Sequence, residues 1–458
     1  MVRTLAVACL LLLGLPSPRA HGQEEGGEVE MERAQGVEDA SDPSEPALAE
    51  VEPSELDALR EELARLSRRL EVFEREREAA AGGPPPPPAA HEPRVAGAPG
   101  GGLTVAIGDA FSLNLRTRFQ IRYQLDVPQD RDQALSQMVN IGTARLWISG
   151  HVLAPELTYM IQLAVAGRDF RDGLISPIFD AFLEWRGHRD LSVRAGQFFV
   201  PFDRLRTVRE WALQMGDRPR PVLELTLDRD VGVVLFSDAF LDDRSPFAWR
   251  LGVFGGGGTN LTEGRPPGAL LVGRLELRPL GRIDDDTEGD LDRRHEPGLA
   301  LGAAFAVNFG TDRALSTTGP RFAGQATTDY LHFAADLVFK WEGFALQAEY
   351  LWKQASADQL AADVFTRSGH GWVLQASYVF DPPIELVGRL SQLYAIGATD
   401  PRLVEEAARR GVEVAAGLNY YLNGHRFKIQ ADWIARMPSD FDLSQAQHVV
   451  HVQLDATF

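Results

Sequence analysis

Arginines are concentrated in one long polar segment, residues 201–229, which joins two stretches that look like β-strands. Five of them lie in its middle part, residues 203–227: Arg204, Arg206, Arg209, Arg218 and Arg220. A guanidinium group presents its donors in a fixed plane, so it exchanges hydrogen bonds with a passing oxyanion without trapping it deeply. If such a segment folds into the lumen of a wide β-barrel, it selects which solutes pass through the barrel. The alternative is that it is an ordinary solvated surface loop. We predict that these five residues line a pore constriction if the rest of the chain forms a barrel.

Further arginines fall on the polar faces of predicted strands, because successive side chains of a strand alternate between its two faces. The arginines predicted to line a pore wall are Arg116, Arg118, Arg122, Arg145 and Arg194. Acidic residues fall on the same faces, so two interpretations stay open. The arginines either form a ladder for anions or pair with the acids to stabilise the wall.

The other residues that commonly do chemistry show no such pattern. The ten histidines lack the spacing of metal ligands, and no nucleophile elbow, Cys/His pair or zinc signature occurs. We therefore expect no cofactor, no metal and no catalytic residue, and we do not predict an enzyme. A barrel enzyme stays open as an alternative, because a Ser/His or Asp/His pair near one rim is brought together by folding and not by sequence spacing.

Sixteen strand-like stretches follow one another within residues 103–458, and most are long enough to cross a bilayer as tilted strands. They are 111–123, 139–152, 157–168, 177–186, 190–200, 230–237, 247–255, 268–279, 298–309, 329–341, 343–353, 370–381, 383–394, 411–421, 425–436 and 448–458. Several have one apolar and one polar face, which suits lipid outside and water inside. Long connections alternate with mostly tight ones, apart from the longer 238–246 and 280–297. The pattern predicts an all-β fold, a 16-stranded antiparallel transmembrane β-barrel with both ends in the periplasm.

The part of the chain before the barrel has a different composition. Residues 1–23 combine Arg3, an apolar run and small residues, which predicts a secretory signal peptide. Residues 24–53 are acidic and poor in large apolar groups, which predicts disorder. Apolar residues at heptad spacing predict a coiled-coil helix over 54–81, and a Pro/Gly linker follows over 82–102. The net charge is −19, and nothing in the charge pattern indicates binding to nucleic acid.

Three motifs resemble those of the porin O/P family, the phosphate-selective porins. RAGQFFVPF at Arg194–Phe202 is similar to the family's strand that leads into the constriction loop, and RDVGV at Arg229–Val233 is similar to the strand that leaves it. NYYLNGHRFKIQ at Asn419–Gln430 is similar to the family's late hairpin. The resemblance implies a sixteen-stranded trimeric channel with an inward-folded third outside loop, in which arginines and a lysine cluster favour phosphate-type anions. Because the segment 201–229 contains no lysine, we expect a modest anion preference without strong discrimination for phosphate.

Together these features predict a porin of the bacterial outer membrane, a water-filled channel for passive diffusion of small solutes, anions such as phosphate among them. The expected partners are outer-membrane lipid, further copies of the chain in a homotrimer, small anionic solutes, and the cell wall through a periplasmic N-terminal segment. Within the pore we expect Arg204, Arg206 and Arg209 to meet Arg116 and Arg118 across the narrowest region. The alternative functions are a structural tether that acts through its periplasmic coiled coil, and a barrel enzyme.

Overall fold

The structure is a computed structural model that describes residues 61–72, 93–130, 132–170, 177–261, 263–381 and 383–458, without the side chain of Arg168. The chain divides into two compact units, Met1–Pro88 and Ala89–Phe458. Within the described ranges, no helix has the length and apolar character needed to span a membrane. The predicted signal peptide 1–23 and acidic segment 24–53 lie outside the described residues.

The described part of the first unit is one helix, α1 (61–72), which lies within the predicted coiled-coil helix 54–81. Leu63, Leu66 and Leu70 of its predicted heptad seam are exposed. A seam of this kind is what a coiled coil between copies of a chain covers, and this self-association stays a prediction. The remainder of the predicted helix and most of the predicted linker lie outside the described residues.

Strands make up most of the second unit. Two short strands come first, β1 (Arg94–Ala98) and β2 (Gly102–Ile107). The first eight long strands are β3 (Phe111–Val127), β4 (Ser136–Val152), β5 (Ala154–Ala164), β6 (Ile178–His188), β7 (Leu191–Phe199), β8 (Arg229–Ser237), β9 (Phe247–Phe254) and β10 (Ala269–Leu277). The rest of the chain forms β11 (Gly298–Thr311), β12 (Thr328–Trp341), β13 (Phe344–Ala355), the short pair β14 (Gln359–Ala361) and β15 (Val364–Phe365), β16 (Gly369–Val379), β17 (Ile384–Ala395), β18 (Val412–Asn423), β19 (Phe427–Met437) and β20 (Gln447–Thr457).

The sixteen long strands form a closed antiparallel barrel, as the sequence predicts, and each lies within a few residues of its predicted bounds. Each pairs with the next long strand along the chain, and β20 pairs with β3 to close the ring. The closing register runs from His448 opposite Val127 to Thr457 opposite Arg118. Closure leaves no long strand with a free edge, which is the condition that backbone amides must meet in hydrocarbon.

Side chains along the strands alternate between a buried inner face and an exposed outer face. In β10, Val272, Arg274 and Glu276 are buried, whereas Leu271 and Leu275 are exposed. Charged residues thus lie on the inside and leucines on the outside, the reverse of a soluble fold. This distribution matches lipid around the barrel and a polar lumen within it.

The prediction of a Pro/Gly linker over residues 82–102 is wrong at its C-terminal end. There β1 and β2 form a hairpin, and β2 continues the sheet by pairing with the start of β3, with Leu103 opposite Leu115. Gly102 permits this approach, because its φ is +78° and a Cβ at this position would lie 2.1 Å from the carbonyl oxygen of Leu115. Glycines that resemble a flexible spacer in sequence therefore serve close packing between strands.

The connections differ between the two ends of the barrel. At one end tight turns join neighbouring strands, such as Glu342–Gly343, where both residues have the positive φ typical of two-residue hairpins. At the other end long connections carry helices. These are α2 (Arg204–Thr207) and α3 (Arg220–Leu225) between β7 and β8, and α4 (Pro401–Arg410) between β17 and β18.

Candidate functional site

Two of the connections that contact the inner face of the barrel line the candidate site: the long loop (200–228, between β7 and β8) and the acidic loop (278–297, between β10 and β11). The long loop forms hydrogen bonds with Arg122 of β3, Asp336 of β12 and Lys428 of β19. These strands are widely separated around the ring, so a segment that reaches all three crosses the lumen. The long loop therefore lies inside the barrel rather than over its rim.

An apolar cluster fixes the two ends of the long loop to the wall. Phe202, Leu205 and Leu225 of the loop are buried together with the inward-facing Leu270 of β10 and Leu351 of β13. Full burial of such a side chain stabilises a structure by about 1.5–3 kcal/mol, so the cluster holds α2 and α3 against this side of the barrel. The sequence does not reveal this apolar patch, because it interrupts an otherwise polar inner face.

Arg204 and Arg206, the first two arginines of the predicted constriction, are paired with acids. Arg204 donates from Nε to Asp336 at 2.6 Å and from Nη1 to Asp285 of the acidic loop at 2.5 Å. Arg206 pairs with Asp228 at the end of the long loop. The charge of each guanidinium group is therefore compensated by neighbouring carboxylates.

Arg209 lines a small cavity together with Arg118, on the side of the barrel near β5 and β6. The expected meeting of Arg204, Arg206 and Arg209 with Arg116 and Arg118 is corrected in this respect. All three loop arginines pair with acids, Arg209 with Asp180 of β6 at 2.6 Å, and Arg209 in addition shares a cavity with Arg118. The three loop arginines are thus divided among separate ion pairs.

Arg218 and Arg220 make contacts that shape the long loop. Arg218 donates to the carbonyl oxygens of Leu205 and Val208 at 3.0 and 2.5 Å, which ties the loop to itself. Arg220 begins α3 and pairs with Glu406 of α4. Burial lowers the pKa of each arginine to about 10, so both stay charged at neutral pH. Their part in solute passage stays a prediction.

Four of the five predicted wall arginines are paired with carboxylates. The pairs are Arg118–Asp455 at 2.9 Å, Arg122–Asp217 at 2.8 Å, Arg145–Asp169 at 2.6 Å and Arg194–Glu184 at 2.5 Å. The fifth, Arg116, lies over the ring of Trp147, with its Cζ 5.0 Å from the ring centroid. Of the two interpretations left open by the sequence, this geometry favours arginines that pair with acids.

The chain contains three lysines, and each fixes a loop to the inner wall. Lys428 of β19 donates to the carbonyl oxygen of Leu213 at 2.6 Å, and Lys353 of β13 donates to that of Glu224 at 2.5 Å. Lys340 of β12 holds the acidic loop in the same way. An ammonium group with three donors satisfies loop carbonyls that have left water. The sequence signal for these residues is the position of each lysine on the polar face of a predicted strand.

The acidic loop starts from the end of the barrel that carries the tight turns, and it meets the long loop. Lys340 donates to its carbonyl oxygens at Asp284 and Thr287, at 2.6 and 2.8 Å. The backbone amide of Gln214 in the long loop donates to Glu288 of the acidic loop at 2.6 Å. The sequence does not predict this contact, and its one signal is the unusual length of the connection at that end.

Burial raises the pKa of two carboxyl groups in these loops. Asp203 caps α2 by accepting from the backbone amide of Arg206 at 3.2 Å, and it accepts from Thr226 Oγ1 at 2.5 Å. Burial raises the pKa of Asp203 to about 6. Burial likewise raises the pKa of Glu288 at the contact between the loops. Both groups hold a proton at higher pH than a solvated carboxyl group does, so acid pH favours the docked loops.

Two cavities lie beside the long loop. The larger, of about 610 Å³, is lined by inward side chains of β6–β10 and by residues of both loops, among them seven arginines and five acids. The smaller, of about 10 Å³, lies against Arg118, Arg145 and the neighbouring wall. Phe199, Arg209 and Trp211 line both cavities and therefore separate them.

Ser/His pairs of the kind that a barrel enzyme requires occur at Ser316 and His332, with Oγ and Nε2 3.0 Å apart, and at Ser112 and His151, with Oγ and Nδ1 2.7 Å apart. Ser316 and His332 are 0% exposed, whereas Ser112 and His151 are half-buried. A nucleophile must reach its substrate, so burial argues against the first pair, and the barrel enzyme stays an alternative through the second. Within the described ranges, no group of three or more His, Cys, Asp or Glu residues has an arrangement that could hold a metal ion.

Comparison with known proteins finds likeness in fold. No protein-family model matches the chain, and no curated protein sequence matches it. A loop L8 deletion mutant of OmpT, an outer membrane protein of Vibrio cholerae, is 11% identical, with a TM-score of 0.50 over 76% of this chain and 100% of that chain. Salmonella typhi OmpF in complex with daunomycin is 12% identical, with a TM-score of 0.51 over 77% and 99% of the two chains. At these identities the likeness shows the fold alone, a closed β-barrel of the kind found in these outer-membrane proteins.

Proposed function

We propose that this protein is a porin of the bacterial outer membrane, a channel for passive diffusion of small solutes. The observation that carries the proposal is the contrast between the two faces of the barrel: the outer face is apolar, while the inner face is charged and is crossed by the long loop. A polar lumen of this kind holds water, and a loop across it restricts which solutes pass. We expect no enzymatic activity.

Recording from planar bilayers tests the channel function. The purified chain is expected to produce discrete current steps in KCl. Replacing residues 208–218 of the long loop by a short Gly/Ser linker should enlarge the steps, because it removes the part that crosses the lumen. The same replacement at the exposed residues 241–244, between β8 and β9, is the matched control and should leave the steps unchanged. A folded, inserted protein without current steps contradicts the proposal.

We propose a modest preference for anions without strong discrimination for phosphate. The larger cavity has a small excess of arginines over acids, and the long loop contains no lysine. In a KCl gradient the reversal potential should therefore indicate that chloride is favoured. Replacing Arg204, Arg206 and Arg209 together by Ala should shift this potential toward potassium selectivity, because the partner acids remain. A native channel that already favours potassium contradicts the proposal.

We propose that the resemblance to the porin O/P family extends to assembly, with a homotrimer in the outer membrane and the N-terminal segment in the periplasm. Two of the resembling motifs, Arg194–Phe202 and Arg229–Val233, flank the long loop, which is the position that the family gives its constriction loop. The mass of the detergent-solubilised complex, measured by light scattering, checks the trimer. A monomeric mass contradicts this part of the proposal.

A second candidate function, a tether to the cell wall, is favoured by the exposed leucine seam of α1. Sedimentation of the protein with purified peptidoglycan tests it, with a variant that lacks residues 24–88 as the comparison. Binding that disappears with the deletion supports a tether that acts alongside the channel. Equal sedimentation of both proteins contradicts the tether.

A further inference from the structure

We infer that the channel favours small monoanions that carry a planar aromatic ring, that is, aromatic carboxylates. The selection takes place at the part of the larger cavity's wall formed by Phe199, Arg209 and Trp211, where one guanidinium group and two aromatic rings line the same space. The inference rests on the proposed channel function and adds a solute class to it.

The three residues lie together on the wall of the larger cavity. The volume of this cavity, about 610 Å³, is enough for a small ring-bearing solute, which meets all three residues there. Phe199 ends β7, and Trp211 lies in the middle of the long loop. Both are half-buried, and the Cζ of Arg209 lies 5.2 Å from the centroid of the Phe199 ring. The Phe199 ring and the Arg209 guanidinium group therefore lie close enough to contact the same solute.

Arg209 is oriented so that one of its terminal nitrogens makes both of its hydrogen bonds to the wall. Its hydrogen bonds to the wall, to Asp180 at 2.6 Å and to Gln162 at 3.4 Å, both leave from Nη1. The side chain of Arg209 is 28% exposed to solvent. Nε and Nη2 take no part in those two bonds, and this edge of a guanidinium group is one that binds a carboxylate through two parallel hydrogen bonds. A carboxylate solute can therefore bind while Asp180 holds the arginine in place.

Aromatic rings and arginines continue along the wall of the larger cavity. Arg194 has its Cζ 5.3 Å from the ring centroid of Phe198 and 5.8 Å from that of Phe236. Arg186 lies 4.9 Å from the Phe236 ring. All four residues line the cavity. Phe198 and Phe236 are themselves buried and hold Arg194 and Arg186 in place, so a carboxylate that leaves Arg209 finds further guanidinium groups along this wall.

The charge balance explains why a ring matters more than additional charge. Seven arginines and five acids line the larger cavity, which leaves an excess of two positive charges. A second negative charge on a solute therefore gains little, and inorganic phosphate cannot stack on the rings. A ring-bearing monoanion gains from both the guanidinium group and the rings. Stacking of this strength corresponds to a preference of about tenfold over an anion of equal charge that lacks a ring.

Single-channel recording of the full chain in KCl tests the inference. Benzoate, acetate and inorganic phosphate are added in separate experiments, and the concentration of each that halves the KCl current is measured. We expect benzoate to act at about one-tenth of the acetate concentration, the ratio expected for stacking, and phosphate to resemble acetate. Equal effective concentrations for benzoate and acetate overturn the inference, as does a phosphate effect at lower concentration than that of benzoate.

Two variants locate the effect. Phe199→Leu and Trp211→Leu each remove a ring, and each should lower the benzoate-to-acetate preference to about threefold or less, in line with the loss of one stacking contact. Trp433→Leu removes an exposed aromatic residue on β19 and is the matched control that keeps the native preference. Heat-modifiable gel migration confirms that each barrel is folded. A native preference that persists in both ring variants overturns the inference.

The outcomes also separate the inference from the function on which it rests. Folded native protein that gives no KCl current contradicts the channel function, and the inference falls with it. A normal KCl current without a preference for benzoate overturns the inference alone.

Discussion

Lysine is rare in this chain, and its three lysines lie where loop carbonyls turn away from water. The arginines of the inner face pair mainly with carboxylates. This division follows from geometry, because a planar guanidinium fork matches the two oxygens of a carboxylate, whereas a compact ammonium group fits carbonyl oxygens that converge from several directions. Lys340 illustrates the second case, since it donates to two carbonyl oxygens and one hydroxyl oxygen of the acidic loop.

Replacing Lys428 by Met should loosen the middle of the long loop. The carbonyl oxygen of Leu213 would lose a charge-assisted hydrogen bond, typically about 1.5–3 kcal/mol, and would keep the one from Gln430 at 2.9 Å. We expect greater noise in the open-channel current, measured by single-channel recording. Arg426→Met, two positions away at an exposed site, is the control and should leave the noise unchanged. Equal noise in both variants would show that Lys428 does not restrain the loop.

Asp203 makes the stability of the docked long loop depend on pH. Its pKa of about 6 lies above the ordinary 3.8, so the folded protein binds this proton more tightly than the unfolded chain does. The resulting stability is fully present below about pH 4 and is lost as the pH rises through 6. Asp203→Asn keeps a capping side chain and removes the titration. It should therefore raise the free energy of unfolding at pH 8 by up to about 3 kcal/mol and leave it unchanged at pH 4.

Thermal unfolding of detergent-solubilised protein at the two pH values measures this effect. Asp442→Asn provides the control, because Asp442 also caps a short helical turn but does so at an exposed site. The control should show no gain at pH 8. If Asp203→Asn shows no gain either, the buried carboxyl group does not destabilise the loop at neutral pH.

At the scale of elements, two loops from opposite ends of the barrel share its interior. The long loop is fixed by the apolar cluster at its ends and by Lys428 near its middle, and the acidic loop is fixed by Lys340. They meet where the amide of Gln214 donates to Glu288. A segment held at several points along its length opens only at a large cost in free energy, so the long loop stays within the lumen rather than swinging out of it.

Shortening the acidic loop should widen the path at its end of the barrel. If residues 282–293 are replaced by a short turn, the long loop keeps its lysine and apolar contacts, while the larger cavity loses one of its walls. We expect larger current steps in KCl than in the native protein. Shortening the exposed segment 241–244 by the same method controls for the change in turn length. Unchanged steps would show that the long loop alone limits the current.

At the scale of the whole molecule, the barrel reverses the polarity of a soluble protein. Its backbone hydrogen bonds are satisfied by closure of β20 on β3, and its outer face carries exposed leucines and valines. Trp185 and Trp341 are exposed near strand ends, the level at which tryptophan prefers to sit at a membrane surface. The barrel therefore requires no continuous apolar core, and its interior is available for charged residues and loops.

Deleting residues 24–88 should leave the proposed trimers on a native gel but lower their melting temperature. The expected loss is modest, because a short coiled coil adds little to the contact between barrels. The deletion ends at residue 88 because β1 and β2 belong to the second unit. Deleting residues 24–53 alone keeps the predicted helix and serves as the control. An equal melting temperature in all three proteins would assign α1 another task, such as contact with the cell wall.

The number and the positions of the sixteen long strands follow from the sequence alone. Whether a side chain faces lipid or the lumen depends on its parity within one strand, and that is a local property which a stretch such as 448–458 displays by itself. The long loop, one of the two that share the interior, is likewise marked by its length and its arginines. The sequence does not separate Gly-rich spacer from strand at β1 and β2, because glycine permits both a flexible linker and the close approach of Gly102 to β3.

The partners of the inward residues were decided by the tertiary structure. Arg118 pairs with Asp455, 337 residues away, because closure of the ring brings β20 beside β3. Arg204 pairs with Asp336, 132 residues away, because the long loop crosses the lumen to β12. Sequence spacing shows that arginines and acids share the polar faces, but it contains no information on register across the ring or on the path of a loop. For that reason a ladder of free arginines and a wall of ion pairs are equivalent in sequence, and the fold distinguishes them.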